Sequence, residues 1–98
     1  MSQVTTHVLD TAAGRPAAGI RVRLLAGGEV IADGTTDADG RVKKLGPESL
    51  EPGDYCLEFD VKTPFLPRVI IEFTIADAAH YHVPVLLSPY GYTTYRGS

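Results

Sequence analysis

The chain has 98 residues, of which 44% are hydrophobic, and 9 Lys and Arg against 12 Asp and Glu give a net charge of −3. These totals are typical of one compact globular domain over residues 1–98 and exclude a disordered or fibrous segment. The acidic balance, with no basic run longer than Lys43-Lys44, argues against nucleic acid as a partner. A domain this small buries a limited share of its unfolded surface, so self-association is expected to add stability.

The cellular location is inferred from the single cysteine and the N-terminal residues. Cys56 has no second cysteine to pair with, so no intrachain disulfide can form. The first residues lack the apolar run of a secretion signal, and no stretch approaches the roughly 20 apolar residues that cross a bilayer. We therefore expect a cytoplasmic protein without a membrane partner.

Taken in chain order, segments of alternating apolar and polar residues are separated by short runs rich in Gly, Pro and Asp. The positions predicted to face inward are Val4, Thr6 and Val8, then Ile20, Val22 and Leu24, then Tyr55, Leu57 and Phe59, then Val69, Ile71, Phe73 and Ile75, and finally Tyr81, Val83, Val85 and Leu87. The pairs that predict turns are Gly27-Gly28, Asp33-Gly34, Asp39-Gly40 and Pro52-Gly53. This pattern predicts an all-β sandwich of two antiparallel sheets with seven or eight strands.

Helical potential is weak throughout the chain. The run from Pro47 to Leu50 is too short for a stable helix. Pro64 and Pro67 argue against a helix between residues 60 and 68.

The three histidines are candidates for acid–base chemistry. His7 alternates with the apolar positions of the first strand, and His82 does so in a late strand, so both point away from the core. If these two strands are neighbours, His7 and His82 meet on one outer face. The alternative, that both merely decorate a β surface, stays open on the pattern alone.

His80 and His82 are two residues apart, so their imidazoles share a face with the spacing of a zinc pair. A third ligand would have to be His7 or a carboxylate, so metal binding is only a minor option. Arg41 follows a predicted turn, where an arginine is usually a solvated charge or a partner of Asp37 or Asp39.

Three blocks of residues resemble the 5-hydroxyisourate hydrolases of the transthyretin-like family. They are His7-Val8-Leu9-Asp10-Thr11 with Gly14-Arg15-Pro16-Ala17, then Thr36-Asp37-Ala38-Asp39-Gly40-Arg41, then His80 to Ser98, which reads HYHVPVLLSPYGYTTYRGS. The last block resembles the family's C-terminal signature over nineteen positions. Transthyretin itself shares the fold and the Leu-Ser-Pro-Tyr block but lacks the histidines and the Tyr-Arg-Gly-Ser end, so the resemblance is to the enzyme branch.

The resemblance implies two four-stranded sheets per subunit and a homotetramer, a dimer of dimers with active sites in a channel at the dimer–dimer interface. Carried over residue by residue, it implies that His7, Arg41 and His82 are catalytic. It also implies that Tyr95, Arg96, Gly97 and Ser98 bind the substrate. Between Phe59 and Val69 the chain is shorter than its relatives, which implies that the usual short helix is missing.

The implied reaction is hydrolysis of 5-hydroxyisourate in urate breakdown, with no cofactor. One of His7 and His82 would activate water, and Arg41 would hold the developing oxyanion. Two alternatives stay open: a divergent relative that acts on another cyclic amide, and a non-catalytic small-molecule carrier.

Overall fold

The computed structural model describes residues 2–98 and contains eight strands. These are β1 (Val4–Asp10), β2 (Arg15–Pro16), β3 (Arg21–Ala26), β4 (Glu29–Thr35), β5 (Gly53–Asp60), β6 (Val69–Ile75), β7 (Tyr81–Ser88) and β8 (Gly91–Thr94). The predicted all-β class and strand number are confirmed. Residues 2–98 contain no helix, and therefore none that could span a membrane.

The strands form two four-stranded sheets, in the orders β2-β1-β7-β8 and β4-β3-β5-β6. All neighbouring strands are antiparallel, as predicted, except β1 and β7. These two strands are parallel, which the sequence pattern did not predict. A parallel pair needs a long crossover connection. Here the crossover from β1 to β7 includes all four strands of the second sheet, which brings residues from the two ends of the chain side by side.

The core lies between the sheets and is built from the alternating apolar positions. Val4 and Val8 of β1, Leu57 of β5 and Val85 of β7 are fully buried. Thr6 is also buried, and its hydroxyl donates a hydrogen bond of 2.7 Å to the carbonyl oxygen of Val83. Since these residues point inward, the odd-numbered residues of β1 point to the outer face of the first sheet.

The turn predicted at Asp33-Gly34 is wrong, because both residues lie inside β4. A Cβ atom on Gly34 would be 2.5 Å from Cγ1 of Val42, so the glycine makes room for a packed side chain. The predicted turns at Gly27-Gly28, between β3 and β4, and at Asp39-Gly40 are confirmed.

The segment between β5 and β6 is a short closed loop. Lys62 N donates to the carbonyl oxygen of Pro67 and Thr63 N to that of Leu66, each at 3.1 Å. The Thr63 hydroxyl also donates to Leu66 O at 2.7 Å and accepts from Leu66 N at 2.9 Å. As expected from the shortened sequence, this segment contains no helix.

Candidate active site

The outer face of the first sheet brings two of the predicted histidines together. In the parallel pair of β1 and β7, Thr5 is opposite His82 and His7 is opposite Pro84. Residues opposite each other in a sheet point to the same side, so Thr5, His7 and His82 share one face. The sequence left open whether the strands of His7 and His82 are neighbours, and the pairing of β1 with β7 meets this condition.

Thr5 connects the imidazoles of His80 and His82. Its Oγ1 is 2.9 Å from Nε2 of His80 and 2.8 Å from Nδ1 of His82. The two rings are stacked, with centroids 6.4 Å apart and an interplanar angle of 23°. Because Nδ1 of His82 is engaged by Thr5, Nε2 is the ring nitrogen left for a substrate or a water.

Arg41 is positioned beside His7 by the turn that starts at Asp37. Asp37 Oδ1 accepts hydrogen bonds from Asp39 N at 2.9 Å and Arg41 N at 3.1 Å. The backbone hydrogen bonds from Arg41 and Asp39 hold the pKa of the Asp37 carboxyl below its usual value. Arg41 then forms an antiparallel bridge with His7, so its side chain points to the histidine face. Asp37 is therefore a partner of Arg41 through the backbone N–H of Arg41.

Gly40 is part of this turn and packs closely against β1. It has φ +76°, and a Cβ atom there would be 2.3 Å from the carbonyl oxygen of Val8 and 3.3 Å from Cδ2 of His7. Val8 N donates to Gly40 O at 2.8 Å. Only glycine combines the positive φ with this close approach.

The C-terminal residues lie beside His82 on the edge of β7 that faces away from β1. Gly97 forms an antiparallel bridge with His82, and Gly97 N donates to His82 O at 2.8 Å. A Cβ atom on Gly97 would be 2.6 Å from Cδ2 of the His82 ring. Ser98 follows Gly97 and is exposed. The structure thus brings Gly97 to the histidine face, with Ser98 next to it in the chain.

Tyr95 and Arg96 have other neighbours within the chain. Tyr95 is exposed and borders a small apolar cleft near Ile71 and Val83. The Arg96 guanidinium carbon lies 4.1 Å above the centre of the Tyr81 ring, and Nη2 of Arg96 donates to His80 O at 3.3 Å. These contacts hold the terminal segment against the start of β7.

The environment of His82 favours its neutral form. Partial burial lowers the pKa of the His82 imidazole, and the charges of Arg41, His80 and His7 lower the pKa further, against an opposing hydrogen bond with Thr5. A neutral imidazole with a free Nε2 is able to accept a proton from water.

A metal site and a second surface cleft were the other candidates for a functional site. In residues 2–98, no three His, Cys, Asp or Glu side chains are grouped to hold a metal ion, so the geometry lends no support to a zinc pair at His80 and His82. A larger cleft lies near Arg15, Lys62 and Ser88, at the other end of β7 from His82. None of the three histidines lines it.

Sequence reasoning missed the roles of Thr5 and Asp37. Thr5 is two residues before His7 on the same strand face, and this spacing is the signal that was available. Asp37 precedes Arg41 at the spacing of a turn in which an aspartate side chain bonds nearby backbone N–H groups.

Residues 4–97 match the model of the HIUase/Transthyretin family. The chain belongs to this family. It is 45% identical, over 115 aligned positions, to the 5-hydroxyisourate hydrolase of Caulobacter vibrioides, and the alignment covers 100% of both proteins. Since this chain has 98 residues, part of the alignment consists of gaps in it.

Solved structures agree with this assignment. The 5-hydroxyisourate hydrolase of Klebsiella pneumoniae superposes with a TM-score of 0.90 at 37% identity, covering 97% of this chain and 98% of that one. Sea bream transthyretin in complex with thyroxine superposes with a TM-score of 0.87 at 31% identity, covering 97% of this chain and 94% of that one. The transthyretin-like fold is therefore shared with both an enzyme and a protein with bound thyroxine.

Proposed function

We propose that this protein hydrolyses 5-hydroxyisourate to 2-oxo-4-hydroxy-4-carboxy-5-ureidoimidazoline, a step of urate degradation. The observation that carries the proposal is the placement of His7, Arg41 and His82 on one face, in surroundings that lower the pKa of His82. Relatives and a solved structure that bear the name 5-hydroxyisourate hydrolase support it. The proposed hydrolysis uses no cofactor, because water attack on an acyl carbon needs no redox step.

The proposed mechanism uses His82 as the general base. The water oxygen bonds to the acyl carbon while Nε2 of His82 takes one water proton. The C–N bond then breaks, its electron pair goes to nitrogen, and the nitrogen takes a proton. The carboxylic acid that forms ionises, so each turnover releases one proton. His82 suits the first step because burial and neighbouring charges lower its pKa and keep Nε2 unprotonated near neutral pH.

Arg41 and His7 would act on the charges that develop. The guanidinium of Arg41 has several forked donors for the oxyanion of the tetrahedral intermediate. His7 bridges to Arg41 through the backbone and would orient the water or protonate the leaving nitrogen. Tyr95, Arg96, Gly97 and Ser98 are proposed as the substrate-binding segment, with Gly97 hydrogen-bonded to the backbone oxygen of His82.

The site is open on one side, and this supports the proposal of a homotetramer. Arg41 is exposed and the two histidines are half-buried on an outer sheet face. Enclosure by a second pair of subunits would exclude water other than the attacking one. Light scattering tests the assembly, and a monomer that retains full activity at all dilutions would contradict it. The unpaired Cys56 agrees with the proposed cytoplasmic location.

The direct test is a hydrolysis assay with freshly made substrate. Urate oxidation generates 5-hydroxyisourate in situ, and its ultraviolet absorbance is followed with the protein, with His82→Ala and with buffer. We expect the protein to speed the decay strongly and His82→Ala to lose most of this effect. Equal decay in all three samples would overturn the proposal.

The likeness to the thyroxine-bound transthyretin favours a second candidate, a small-molecule carrier. A carrier would bind a urate-like or aromatic ligand and leave 5-hydroxyisourate to decay at its spontaneous rate. Calorimetry with urate beside the hydrolysis assay separates the two functions. A panel of other cyclic amides in the same assay tests for a diverged substrate.

A further inference from the structure

The Thr5 hydroxyl lies within hydrogen-bond distance of both Nε2 of His80 and Nδ1 of His82, at 2.9 and 2.8 Å. A hydroxyl has one proton, so it donates to one of these nitrogens and accepts an N–H from the other. The two rings therefore cannot choose their protonated nitrogens independently. A proton added to one ring has a continuous path of hydrogen bonds to the other.

The two rings differ in exposure and in the charges that face them. His82 is half-buried and faces Arg41, His7 and His80, so its imidazolium is disfavoured. His80 is exposed to solvent and directly precedes β7, and Arg96 donates a hydrogen bond to its backbone oxygen. A charge on His80 is therefore in contact with water, whereas a charge on His82 is partly shielded from it.

We propose that Thr5 and His80 form a proton relay that moves the positive charge from His82 to the protein surface during hydrolysis. This inference rests on the proposed function. When Nε2 of His82 takes a proton from water, Nδ1 of His82 passes its own proton to Thr5, and Thr5 passes its hydroxyl proton to Nε2 of His80.

The relay balances and is reversible. After the transfer, His82 is neutral with its proton on Nε2, Thr5 is unchanged, and His80 is an imidazolium. The reverse transfer restores the proton to Nδ1 of His82 while Nε2 gives its proton to the leaving nitrogen, and of the two roles proposed for His7 the orientation of water then remains. His80 thus stores the water proton between the two chemical steps, and neither Thr5 nor His80 touches the substrate.

The kinetic test compares substitutions that keep or remove the relay. Thr5→Val removes the hydroxyl at nearly constant shape, Thr5→Ser keeps it, and His80→Gln keeps a hydrogen-bonding group that cannot take up a proton. We expect Thr5→Val and His80→Gln to lower kcat about 10-fold or more, in the range of single proton-transfer effects, with KM changed less than about 2-fold. Thr5→Ser should retain most of kcat.

Two further kinetic results distinguish a relay from a structural role. The double variant Thr5→Val/His80→Gln should be no slower than either single variant, because each removes the same path. Thr74→Val, a hydroxyl removed from the second sheet where it contacts Asp54, is the matched control and should leave kcat unchanged. Additive losses in the double variant would overturn the relay.

Nuclear magnetic resonance of the free protein tests the shared proton without any substrate. Nitrogen-15 shifts of the imidazoles report which ring nitrogen carries the proton. In any state in which His80 is an imidazolium, its Nε2 must donate to Thr5, and a His82 that is still neutral should then carry its proton on Nε2 instead of Nδ1. We expect this change in the wild type and in Thr5→Ser, and its loss in Thr5→Val.

The outcomes separate the two proposals. Wild-type kcat in both Thr5→Val and His80→Gln, together with an inactive His82→Ala, would overturn the relay and leave the hydrolase function intact. No hydrolysis by the wild type would overturn the proposed function. A neutral His82 that keeps its proton on Nδ1 while His80 is an imidazolium would overturn the relay in either case.

Discussion

Gly97 lies so close to His82 that a Cβ atom at this position would be 2.6 Å from Cδ2 of the imidazole. The same residue donates its N–H to His82 O at 2.8 Å. The terminal segment and the proposed general base are therefore held in one geometry, and the absence of a side chain at position 97 is part of it.

We expect Gly97→Ala to displace the His82 ring or the terminal segment. A shift near 1 Å in a reacting group lowers the rate by about 100-fold, and a loss of 10- to 100-fold in kcat/KM is expected here. The melting temperature should change little because the segment is at the chain end. Gly91→Ala in β8 is the matched control, since a Cβ there has an ordinary contact of 3.4 Å with Ser88. Full activity of Gly97→Ala would contradict this interpretation.

Asp37 should control activity through the position of Arg41. Asp37→Ala removes the acceptor of the Arg41 and Asp39 backbone N–H groups, so the turn loosens and kcat falls. Asp37→Asn keeps an acceptor oxygen and should retain most of kcat. Kinetics of both variants, beside Asp39→Ala as control, check the prediction, and equal rates for all three would be inconsistent with it.

The pH dependence should follow His82. Its pKa is lowered, so the neutral form persists to a lower pH than for an ordinary histidine, and activity is lost only as pH falls through that lowered value. Arg41→Gln removes a positive charge near His82 and should raise the pKa, which moves the acidic limb of kcat/KM to higher pH.

The position of the limb is a separate readout from the loss of rate that Arg41→Gln also causes. Arg21→Gln removes a positive charge from the second sheet, where Arg21 pairs with Asp33, and should leave the limb in place. A limb that stays unchanged in Arg41→Gln, or moves to lower pH, would show that Arg41 does not hold His82 neutral.

Local patterns predicted which residues face outward. The alternation of Val4, Thr6 and Val8 fixes the direction of His7, and that of β7 fixes the direction of His82, because successive side chains in a strand point to opposite faces. The turn before Arg41 was also predictable from local sequence, because an Asp-Gly pair such as Asp39-Gly40 favours a turn.

The rest depends on contacts between distant residues. Nothing local shows that β1 pairs with β7 in parallel, or that Thr5 is opposite His82, since register arises from packing across the sandwich. The turn predicted at Gly34 is wrong because the role of this glycine also depends on a contact with a distant residue. Its preceding Asp indicates a turn, whereas the close approach of Val42 from outside the strand explains the glycine.

The short loop between β5 and β6 should contribute to stability and not to catalysis. Its Thr63 hydroxyl donates to Leu66 O and accepts from Leu66 N, so it closes the loop. The loop borders Ser88 at the end of β7, six residues and about 20 Å along the strand from His82. Thr63→Val should lower the free energy of unfolding by about 1–2 kcal/mol, because two part-buried hydrogen bonds are lost.

Urea denaturation of Thr63→Val and Thr63→Ser, with kinetics of both, measures the two effects. Thr63→Ser keeps the hydroxyl and should retain most of the stability. The kcat/KM of Thr63→Val should equal that of the wild type at temperatures where both are folded, since the loop borders the end of β7 that is far from His82. A fall in kcat/KM beyond about 3-fold without unfolding would mean that the loop reaches the site, for instance by closing the channel of a neighbouring subunit in the proposed tetramer.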